Sequence, residues 1–485
     1  MCQTYFNFIA GEWVPSRTGD TYPSINPANT EEILGHFQKS NEQDVEDAIE
    51  AAQRAFPGWS RQPAPSRGDI LFRLIRQLED EQEELSALIV KEVGKRLREA
   101  RGEVHKTIEA MKQFSGEATR LAGETLPSRN ADLFAYTVRE PIGVGVVIAP
   151  YNFPLGIGIW KIAPAIVAGN TVVFKPASNT SRIGTKIVEL FQNAGVPAGV
   201  INMVTGPGSV VGKVVANHQD VKAVSFTGSS EVGIGLGRTV TARGGRMQAE
   251  MGGKNPAIIL EDADLEKAID SIVVSGFLDN GQRCTGTSRE IVPRTIAADV
   301  RDLLVNRAKT LKVGDGFLPD VDNGAVIDDH QLNTYLHYVQ KAEQEGATLE
   351  YGGTRLMDEG RDKGFFVAPT VFSHVDSRMA IAQEEIFGPV IALMEVETYE
   401  QALKVANDIE FGLSSTIYTR DLKRAFHFVR SIESGVTHVN LPSTYFENQF
   451  PFGGKKDSSI GPREQGSTAL EFWTDIKTVY INPGG

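Results

Sequence analysis

Short apolar runs alternate with helical segments from about residue 142 onward. The runs lie at 144–149, 171–174, 201–204, 223–226 and 257–260, and helical periodicity fills the stretches near 155–168, 181–194, 208–217 and 231–242. Runs that are rich in β-branched residues and bounded by helices predict parallel strands that helices cover on both faces. The alternation therefore predicts an α/β fold built on a parallel sheet.

A second α/β stretch follows residue 284. Its helical segments lie near 296–310, 328–345, 398–409 and 421–432, and its strand-like runs near 387–396, 414–419 and 435–440. Nearer the N-terminus, apolar spacing predicts helices over 43–56 and 67–100, and Ser40 and Gln43 are placed to form a capping box for the first. The run 476–481 is typical of a terminal strand, which often pairs with another subunit.

Composition narrows the classes of function. The net charge is -13, from 49 basic and 62 acidic residues, so nucleic acid is not expected as a partner. No apolar run reaches membrane-spanning length, and the first residues lack a basic region followed by an apolar one. With only two cysteines, Cys2 and Cys284, we expect a reducing, cytoplasmic setting. The eight histidines show no paired ligand spacing, so no metal site is expected.

Three residues invite a catalytic interpretation. Cys284 lies between glycines in the segment GQRCTG, and Glu250 begins the segment EMGGKN. A thiolate is a strong nucleophile, and a carboxylate flanked by glycines can activate water. Asn152 follows the first strand, where a side-chain amide can donate to an oxyanion. Each residue also has a plain structural interpretation: a buried thiol, a surface carboxylate and a turn amide.

Two segments suggest a dinucleotide. Gly228 and Ser229 begin the segment GSSEVG between a strand and a helix, where glycines let a pyrophosphate approach the helix N-terminus. Lys175 ends a strand in FKPAS, within reach of ribose hydroxyls or phosphate. The glycine spacing differs from the common G-x-G-x-x-G, and a tight turn and a solvated strand end remain open alternatives.

Taken together, these segments resemble the aldehyde dehydrogenase superfamily. The segments IAPYNFPL, FKPAS, FTGSSEVG, EMGGKNP, GQRCTGTSR, EEIFGPV and PFGGKKDS occur in this order, and the likeness runs from GEWVPS near the N-terminus to the last strand. The resemblance implies oxidation of an aldehyde to a carboxylic acid through a thioester on Cys284. It implies NAD(P)+ as the cofactor.

The resemblance also implies a role for each matching residue. Cys284 matches the nucleophile, Glu250 the general base, and Asn152 the oxyanion donor that works with the Cys284 backbone N–H. The implied cofactor contacts are Lys175 and Glu385 at ribose hydroxyls, Phe387 at the nicotinamide side, Gly228 and Ser229 at the pyrophosphate, and Trp160 flanking the cofactor cleft.

Three structural parts are implied in the same way. A Rossmann-like cofactor domain would span 1–122 and 142–252, and a catalytic α/β domain 253–455. A small β oligomerisation arm would comprise 123–141 and 456–485, and a homodimer or homotetramer is the implied assembly.

Three rival activities are weaker. Acylating, coenzyme-A-dependent relatives tend to lack the glutamate base that Glu250 supplies. A cysteine esterase or amidase would not need the set Lys175, Glu385 and Phe387. An inactive structural relative would not be expected to retain Asn152, Glu250 and Cys284 together.

Substrate and cofactor preference are finer predictions. The whole-chain pattern, with GPREQ at 461–465, is most similar to bacterial 2-oxoglutarate semialdehyde (2,5-dioxopentanoate) dehydrogenases. Succinate semialdehyde enzymes carry Arg at the position of Trp160, and a broad aliphatic or aromatic aldehyde range is the further alternative. A substrate carboxylate needs a cation, for which Arg283 and Arg120 are the two possibilities.

Ser178 bears on the choice between NADP+ and NAD+. Many NAD-preferring relatives carry Glu here, three residues after the lysine that matches Lys175. A neutral Ser removes the repulsion of a 2′-phosphate and can donate a hydrogen bond to it. We therefore predict that NADP+ is preferred and that NAD+ is usable; a helix-capping Ser178 would be compatible with either.

Overall fold

Two parallel sheets and a small two-stranded ribbon organise the chain in the computed structural model, which describes residues 3–484. Cys2 lies outside the described residues. No helix within 3–484 is both long and apolar enough to cross a bilayer.

The helices and strands are numbered in chain order. The helices are α1 (Glu42–Ser60), α2 (Ala64–Asp80), α3 (Gln82–Val93), α4 (Leu97–Glu117), α5 (Pro154–Ala168), α6 (Ser181–Asn193), α7 (Gly208–Asn217), α8 (Ser230–Ala242), α9 (Leu265–Gly276), α10 (Arg294–Thr310), α11 (Asp329–Glu345), α12 (Ala380–Gln383), α13 (Tyr399–Asn407), α14 (Leu422–Ser431) and α15 (Thr468–Phe472). Short 3-10 helices cover Ser178–Thr180, Leu278–Gly281 and Arg361–Lys363.

The strands are β1 (Asn7–Ile9), β2 (Glu12–Val14), β3 (Thr21–Asn26), β4 (Asn29–Gln38), β5 (Phe134–Pro141), β6 (Val144–Ile148), β7 (Thr171–Lys175), β8 (Ile201–Met203), β9 (Val221–Thr227), β10 (Arg246–Glu250), β11 (Asn255–Ile259), β12 (Thr287–Pro293), β13 (Thr348–Tyr351), β14 (Thr370–Ser373), β15 (Val390–Val396), β16 (Phe411–Gly412), β17 (Ser414–Tyr418), β18 (Val436–Val439), β19 (Lys455–Lys456), β20 (Ser459–Ile460) and β21 (Thr474–Ile481).

The first sheet contains four of the five strands predicted from the apolar runs, and the fifth, predicted at 257–260, is β11 of the second sheet. Its order is β2-β1-β8-β7-β6-β9-β10-β20, and the five strands from β8 to β10 run parallel. Nearly all side chains of β6 and β7 are buried, among them Val146 and Val173, because helices pack on the sheet. When the five parallel strands are numbered by their order along the chain, they lie side by side as 3-2-1-4-5. This matches the first five positions of the Rossmann strand order 3-2-1-4-5-6. The predicted α/β fold is confirmed.

The second sheet lies between residues 255 and 439. Its order is β13-β14-β15-β12-β11-β17-β18, with every neighbouring pair parallel except β13 and β14. Its helices include α9, α10 and α13, which contact its strands. This sheet is the second α/β unit that the sequence predicts.

The ribbon, formed by β5 and β21, contains fewer residues than the predicted arm. The two strands are antiparallel over eight residue pairs, from Thr474↔Pro141 to Ile481↔Phe134. The stretch 456–473, predicted as arm, instead supplies β20 to the first sheet and α15 to the core. The large apolar Trp473 packs on the strand backbone at Gly145, where an added Cβ would lie 2.4 Å from its ring. Burial of that ring holds this segment in the body of the protein.

Two local predictions are also corrected. The predicted helix 67–100 is three helices, and Gly94, with φ of 80°, ends α3 in the left-handed conformation that suits glycine. The α1 capping box is formed by Asn41 and Asp44, because Ser40 is bound to the side chain of Asn7 instead.

Candidate functional site

The carboxyl edge of the first sheet meets the amino edge of the second. Asn152 follows β6, and Cys284 precedes β12. The Asn152 side-chain Nδ2 donates a hydrogen bond of 2.8 Å to the backbone oxygen of Gln282. Residues that are 130 positions apart in the chain thus meet at the crevice where open α/β sheets bind ligands.

The turn that carries Cys284 is held from several sides. Asn255 Nδ2 donates to the backbone oxygens of Cys284, at 2.8 Å, and Gly286, at 2.9 Å. Ser443 Oγ donates to the oxygen of Thr285 at 2.6 Å. Ahead of the turn, Asp279 has a φ of 53°, a strained conformation for a non-glycine residue. This network keeps the thiol in one position.

Cys284 and Glu250 line one cavity of about 380 Å³. Its aromatic lining consists of Phe153, Trp160, Phe446 and Phe452. Trp160 Nε1 donates to Glu464 at 3.0 Å, and its ring lies 6.3 Å from that of Phe446. None of Lys175, Ser178, Glu385 and Phe387 lines this cavity. The resemblance places Trp160 beside the cofactor cleft; in the structure Trp160 lines the cavity of Cys284.

Glu250 is a buried carboxyl with one free oxygen. Its Oε2 accepts from Ser459 Oγ at 2.6 Å, whereas its Oε1 has no hydrogen-bond partner among residues 3–484. Burial, and then the charge of Glu464, raises the pKa of Glu250 well above its usual value. A buried carboxyl with a raised pKa and a free oxygen is suited to accept a proton from water.

Burial also sets the pKa of the Cys284 thiol. It raises the pKa of Cys284 to about 12, and the charges of Glu385 and Glu250 add to the effect. The resting side chain is therefore a neutral thiol.

Lys175 and Ser178 lie at the carboxyl end of β7, away from the thiol cavity. The buried Lys175 Nζ donates to the oxygen of Pro176 at 3.0 Å and forms no ion pair with any residue in 3–484. Burial lowers the pKa of Lys175 to about 8. Ser178 Oγ donates to the oxygen of Gly206 at 3.3 Å.

Glu385 and Phe387 lie before β15, at the amino edge of the second sheet. Glu385 Oε1 accepts from the Gly253 N–H at 2.9 Å, and burial raises the pKa of Glu385 to about 7. Phe387 has a φ of 57°, and its ring meets the edge of Tyr151 at 5.9 Å. The aromatic neighbour of Phe387 is thus Tyr151.

The loop from β9 to α8 holds Gly228 and Ser229. An added Cβ on Gly228 would lie 2.5 Å from the Phe226 ring, so the packing requires glycine. Ser229 precedes α8, and its side chain makes no capping bond to the helix. The first-turn N–H groups of α8 are therefore not satisfied by that side chain.

The sequence did not indicate several charged residues in and around the cavity, among them Lys106, Lys161 and Glu464. Lys161 is buried and ion-paired with Glu464, and Lys106 lines the cavity from α4. Helical spacing could have predicted which face of α5 lines the cavity. Phe153, Ile157 and Trp160 all line it and are spaced as residues on one helix face. Within residues 3–484, no cluster of three histidine, cysteine or acidic side chains is arranged to hold a metal.

Comparison with known proteins identifies the family. The model of the aldehyde dehydrogenase family matches residues 13–479. The chain belongs to the aldehyde dehydrogenase family. It is 46% identical over 480 residues to the alpha-ketoglutaric semialdehyde dehydrogenase of Bacillus subtilis, covering 99% of this chain and 98% of that one. It is 40% identical over 475 residues to the 2,5-dioxopentanoate dehydrogenase of Saccharolobus solfataricus, covering 97% and 98%.

Solved structures of other aldehyde dehydrogenases share the fold. The betaine aldehyde dehydrogenase of Staphylococcus aureus, in complex with NAD+, superposes with a TM-score of 0.96 at 35% identity, covering 99% of this chain and 95% of that one. The NAD-dependent aldehyde dehydrogenase of Sinorhizobium meliloti gives 0.96 at 34% identity, covering 100% and 95%. The predicted family and fold are confirmed.

Proposed function

We propose that this aldehyde dehydrogenase oxidises 2-oxoglutarate semialdehyde to 2-oxoglutarate. The observation that carries the proposal is the single cavity that contains the Cys284 thiol, the Glu250 carboxyl and several cationic side chains. A semialdehyde of this kind has a carbonyl for the thiol and a carboxylate for a cation. The names of the relatives from Bacillus subtilis and Saccharolobus solfataricus support the same substrate.

The chain's own groups account for the steps at the thiol. The Cys284 thiol first gives its proton to solvent water; the thiolate sulfur then bonds to the aldehyde carbon, and the carbonyl oxygen takes the negative charge as its double bond becomes single. Asn152 Nδ2 and the Cys284 backbone N–H are the proposed donors to that oxygen. Once the thioester has formed on Cys284, Glu250 takes a proton from water, whose oxygen attacks the thioester carbon. The carbon–sulfur bond then breaks, which releases the acid and leaves Cys284 as the thiolate. Hydrolysis by water makes the reaction non-acylating.

The residues at the facing sheet edges fit a nicotinamide dinucleotide. Lys175 is a buried ammonium without an ionic partner among residues 3–484, and Glu385 is a half-buried carboxyl that accepts from one backbone N–H; ribose hydroxyls complement both. The Gly228–Ser229 turn would hold the pyrophosphate and Phe387 the nicotinamide side. When bound, the oxidised nicotinamide supplies the hydride acceptor.

Preference for NADP+ is part of the proposal. Ser178 is neutral and lies near the carboxyl end of β7, where Lys175 supplies positive charge. In Ser178→Glu, we expect the ratio of kcat/KM for NADP+ to that for NAD+ to fall by roughly 10-fold or more, mainly through a higher KM for NADP+. A wild type that strongly prefers NAD+, or an unchanged ratio in the variant, would contradict this assignment.

We also propose a cytoplasmic homodimer or homotetramer. The ribbon of β5 and β21 exposes apolar side chains, among them Phe134, Ile476 and Tyr480, that a second copy could cover.

A panel of aldehydes tests the substrate. Steady-state kcat/KM is measured for 2-oxoglutarate semialdehyde, succinate semialdehyde, pentanal and benzaldehyde, with and without coenzyme A. The proposal expects the first to be the best substrate and coenzyme A to have no effect. A higher value for pentanal or benzaldehyde would indicate a broad aldehyde range instead. Ester hydrolysis without any aldehyde oxidation would favour a cysteine esterase.

A further inference from the structure

Four cationic side chains line the cavity of Cys284. They are Arg96, Arg98, Lys106 and Arg283. Both positions that the sequence suggested for a substrate carboxylate are unsuitable. Arg120 is bonded to Glu117 at 2.6 Å and does not line the cavity. Arg283 lines it, but its guanidinium is bonded through Nε and Nη2 to the buried Asp279.

Arg96 is engaged in the same way. Its Nε donates to Glu99 at 2.6 Å, and its Nη1 lies 3.6 Å from Asp322. A substrate carboxylate would have to compete with these carboxylates for either arginine. The positive charge of Arg96 and Arg283 is thus largely neutralised within the protein.

Lys106 is different because it has no carboxylate partner. Among residues 3–484, its Nζ forms neither an ion pair nor a hydrogen bond, and it lies 3.7 Å from the centroid of the Phe446 ring. That ring contacts Trp160 at 6.3 Å and Phe452 at 5.8 Å, which continue the aromatic wall of the cavity. Lys106 therefore places an unpaired ammonium on the wall that the thiol shares.

The surroundings of Lys106 favour an anionic ligand. Burial lowers its pKa to about 8, and the charge of Arg283 acts in the same direction. An ammonium whose charge is penalised by its surroundings gains from a carboxylate partner. Lys106 and Arg98 are both exposed and both unpaired within 3–484, but Arg98 lies eight residues earlier on α4, roughly 12 Å along the helix axis, and of the two only Lys106 lies over an aromatic ring among these residues.

We propose that Lys106 binds the carboxylate of the substrate and sets the preference of the enzyme for aldehydes that carry an anionic group. The inference rests on the proposed function, since it assigns a residue to the carboxylate of the semialdehyde. It makes Lys106 a specificity residue, separate from the thiol chemistry.

The test compares two substrates in three variants. The measured quantity is the ratio of kcat/KM for 2-oxoglutarate semialdehyde to kcat/KM for pentanal, which has the same number of carbons and no charge. In Lys106→Met, which removes the ammonium and keeps much of the chain length, we expect the ratio to fall by about 10- to 100-fold. This corresponds to the loss of one charge-assisted hydrogen bond. The fall should come mainly from KM of the semialdehyde, and Lys106→Arg should restore most of the ratio.

Lys112→Met is the matched control. Lys112 lies on the same helix but is paired with Glu109 at 3.1 Å and with Glu79 at 3.5 Å, and it does not line the cavity. Its substitution should keep the wild-type ratio. A Lys106→Met enzyme that retains the ratio would overturn the Lys106 assignment and leave the proposed substrate standing. A wild type with no preference for the semialdehyde over pentanal would overturn the proposed function itself.

Discussion

At the level of single residues, burial sets the resting state of the catalytic pair. Cys284, with a pKa of about 12, rests as a thiol, and the raised pKa of Glu250 favours its neutral acid. Each anion would also repel the other, because the charge of Glu250 contributes to the raised pKa of Cys284. The cavity therefore disfavours having both groups charged at once, which suits two half-reactions that use them in turn.

The first prediction concerns the thiol. Cys284→Ala removes the proposed nucleophile, so aldehyde oxidation should fall below detection. Binding of NADP+ should persist, because the proposed cofactor residues lie outside the thiol cavity. Isothermal titration with NADP+ and a steady-state assay with the semialdehyde measure the two effects. Substantial turnover by this variant would rule out the thioester route.

The second prediction concerns the base. Glu250→Gln should still release a burst of reduced cofactor, while steady turnover should drop by roughly 10²–10⁴. In the wild type, deacylation should quicken as pH rises, because a carboxyl with a raised pKa becomes the basic carboxylate only at higher pH. The variant should lack that rise. Stopped-flow absorbance at several pH values measures burst and steady state together; loss of the burst as well would make Glu250 the base for Cys284.

The ordered segments that resemble aldehyde dehydrogenases grouped Asn152, Glu250 and Cys284 into one predicted site, whereas each residue by itself also allowed a plain structural interpretation. The same signals could not place Trp160, because its role depends on which face of α5 is turned toward the cavity. Nor could they identify Lys106, whose value as a site residue comes from its lining the cavity without an ion pair to any residue in 3–484.

At the level of elements, strand composition decided what could be predicted. The apolar strands β6, β7 and β9 were recognised from their sequences. β10 and β12 were not, because both carry charged residues, and the buried charges Arg289 and Glu290 sit within β12. A strand whose charged side chains are buried resembles a surface segment in sequence.

The proposed cofactor site requires the first turn of α6 to be held in place. Glu92 of α3 accepts hydrogen bonds from the N–H groups of Arg182, at 2.9 Å, and Ile183, at 2.8 Å. Both lie in the first turn of α6, directly after the 3-10 helix that begins at Ser178. Glu92 thus fixes the turn that the cofactor is proposed to contact.

Glu92→Leu should therefore loosen this turn. It leaves two N–H groups without their acceptor, at a cost of roughly 2–4 kcal/mol. We expect a lower Tm and a KM for NADP+ that rises more than the KM for the aldehyde. Glu83→Leu is the control, because Glu83 is exposed on the same helix and pairs with Arg101 of α4, not with α6; it should change neither appreciably. A Tm and cofactor KM like those of the wild type in Glu92→Leu would contradict the positioning role.

At the level of the whole molecule, two sheets presenting opposite edges to each other account for the site. The sequence predicted both sheets and the family. The sequence placed the start of the C-terminal ribbon segment at residue 456, whereas the ribbon strand β21 begins at Thr474. The packing of Trp473 on Gly145 is a long-range contact that no local pattern displays. The end of the chain therefore returns to the core through β20 and α15 before it enters the ribbon.

The ribbon itself leads to the last prediction. A two-stranded ribbon is marginally stable alone, yet here Ile476 is 63% exposed and Tyr480 is 70% exposed. A second copy that covers these side chains would stabilise both ribbons. The double variant Ile476→Lys and Tyr480→Lys should therefore shift the molar mass in light scattering from that of a dimer or tetramer toward a smaller species. Phe72→Lys, which changes an exposed aromatic residue of α2, should keep the wild-type mass. A monomeric wild type, or a double variant with the full wild-type mass, would show that the ribbon does not hold an assembly together.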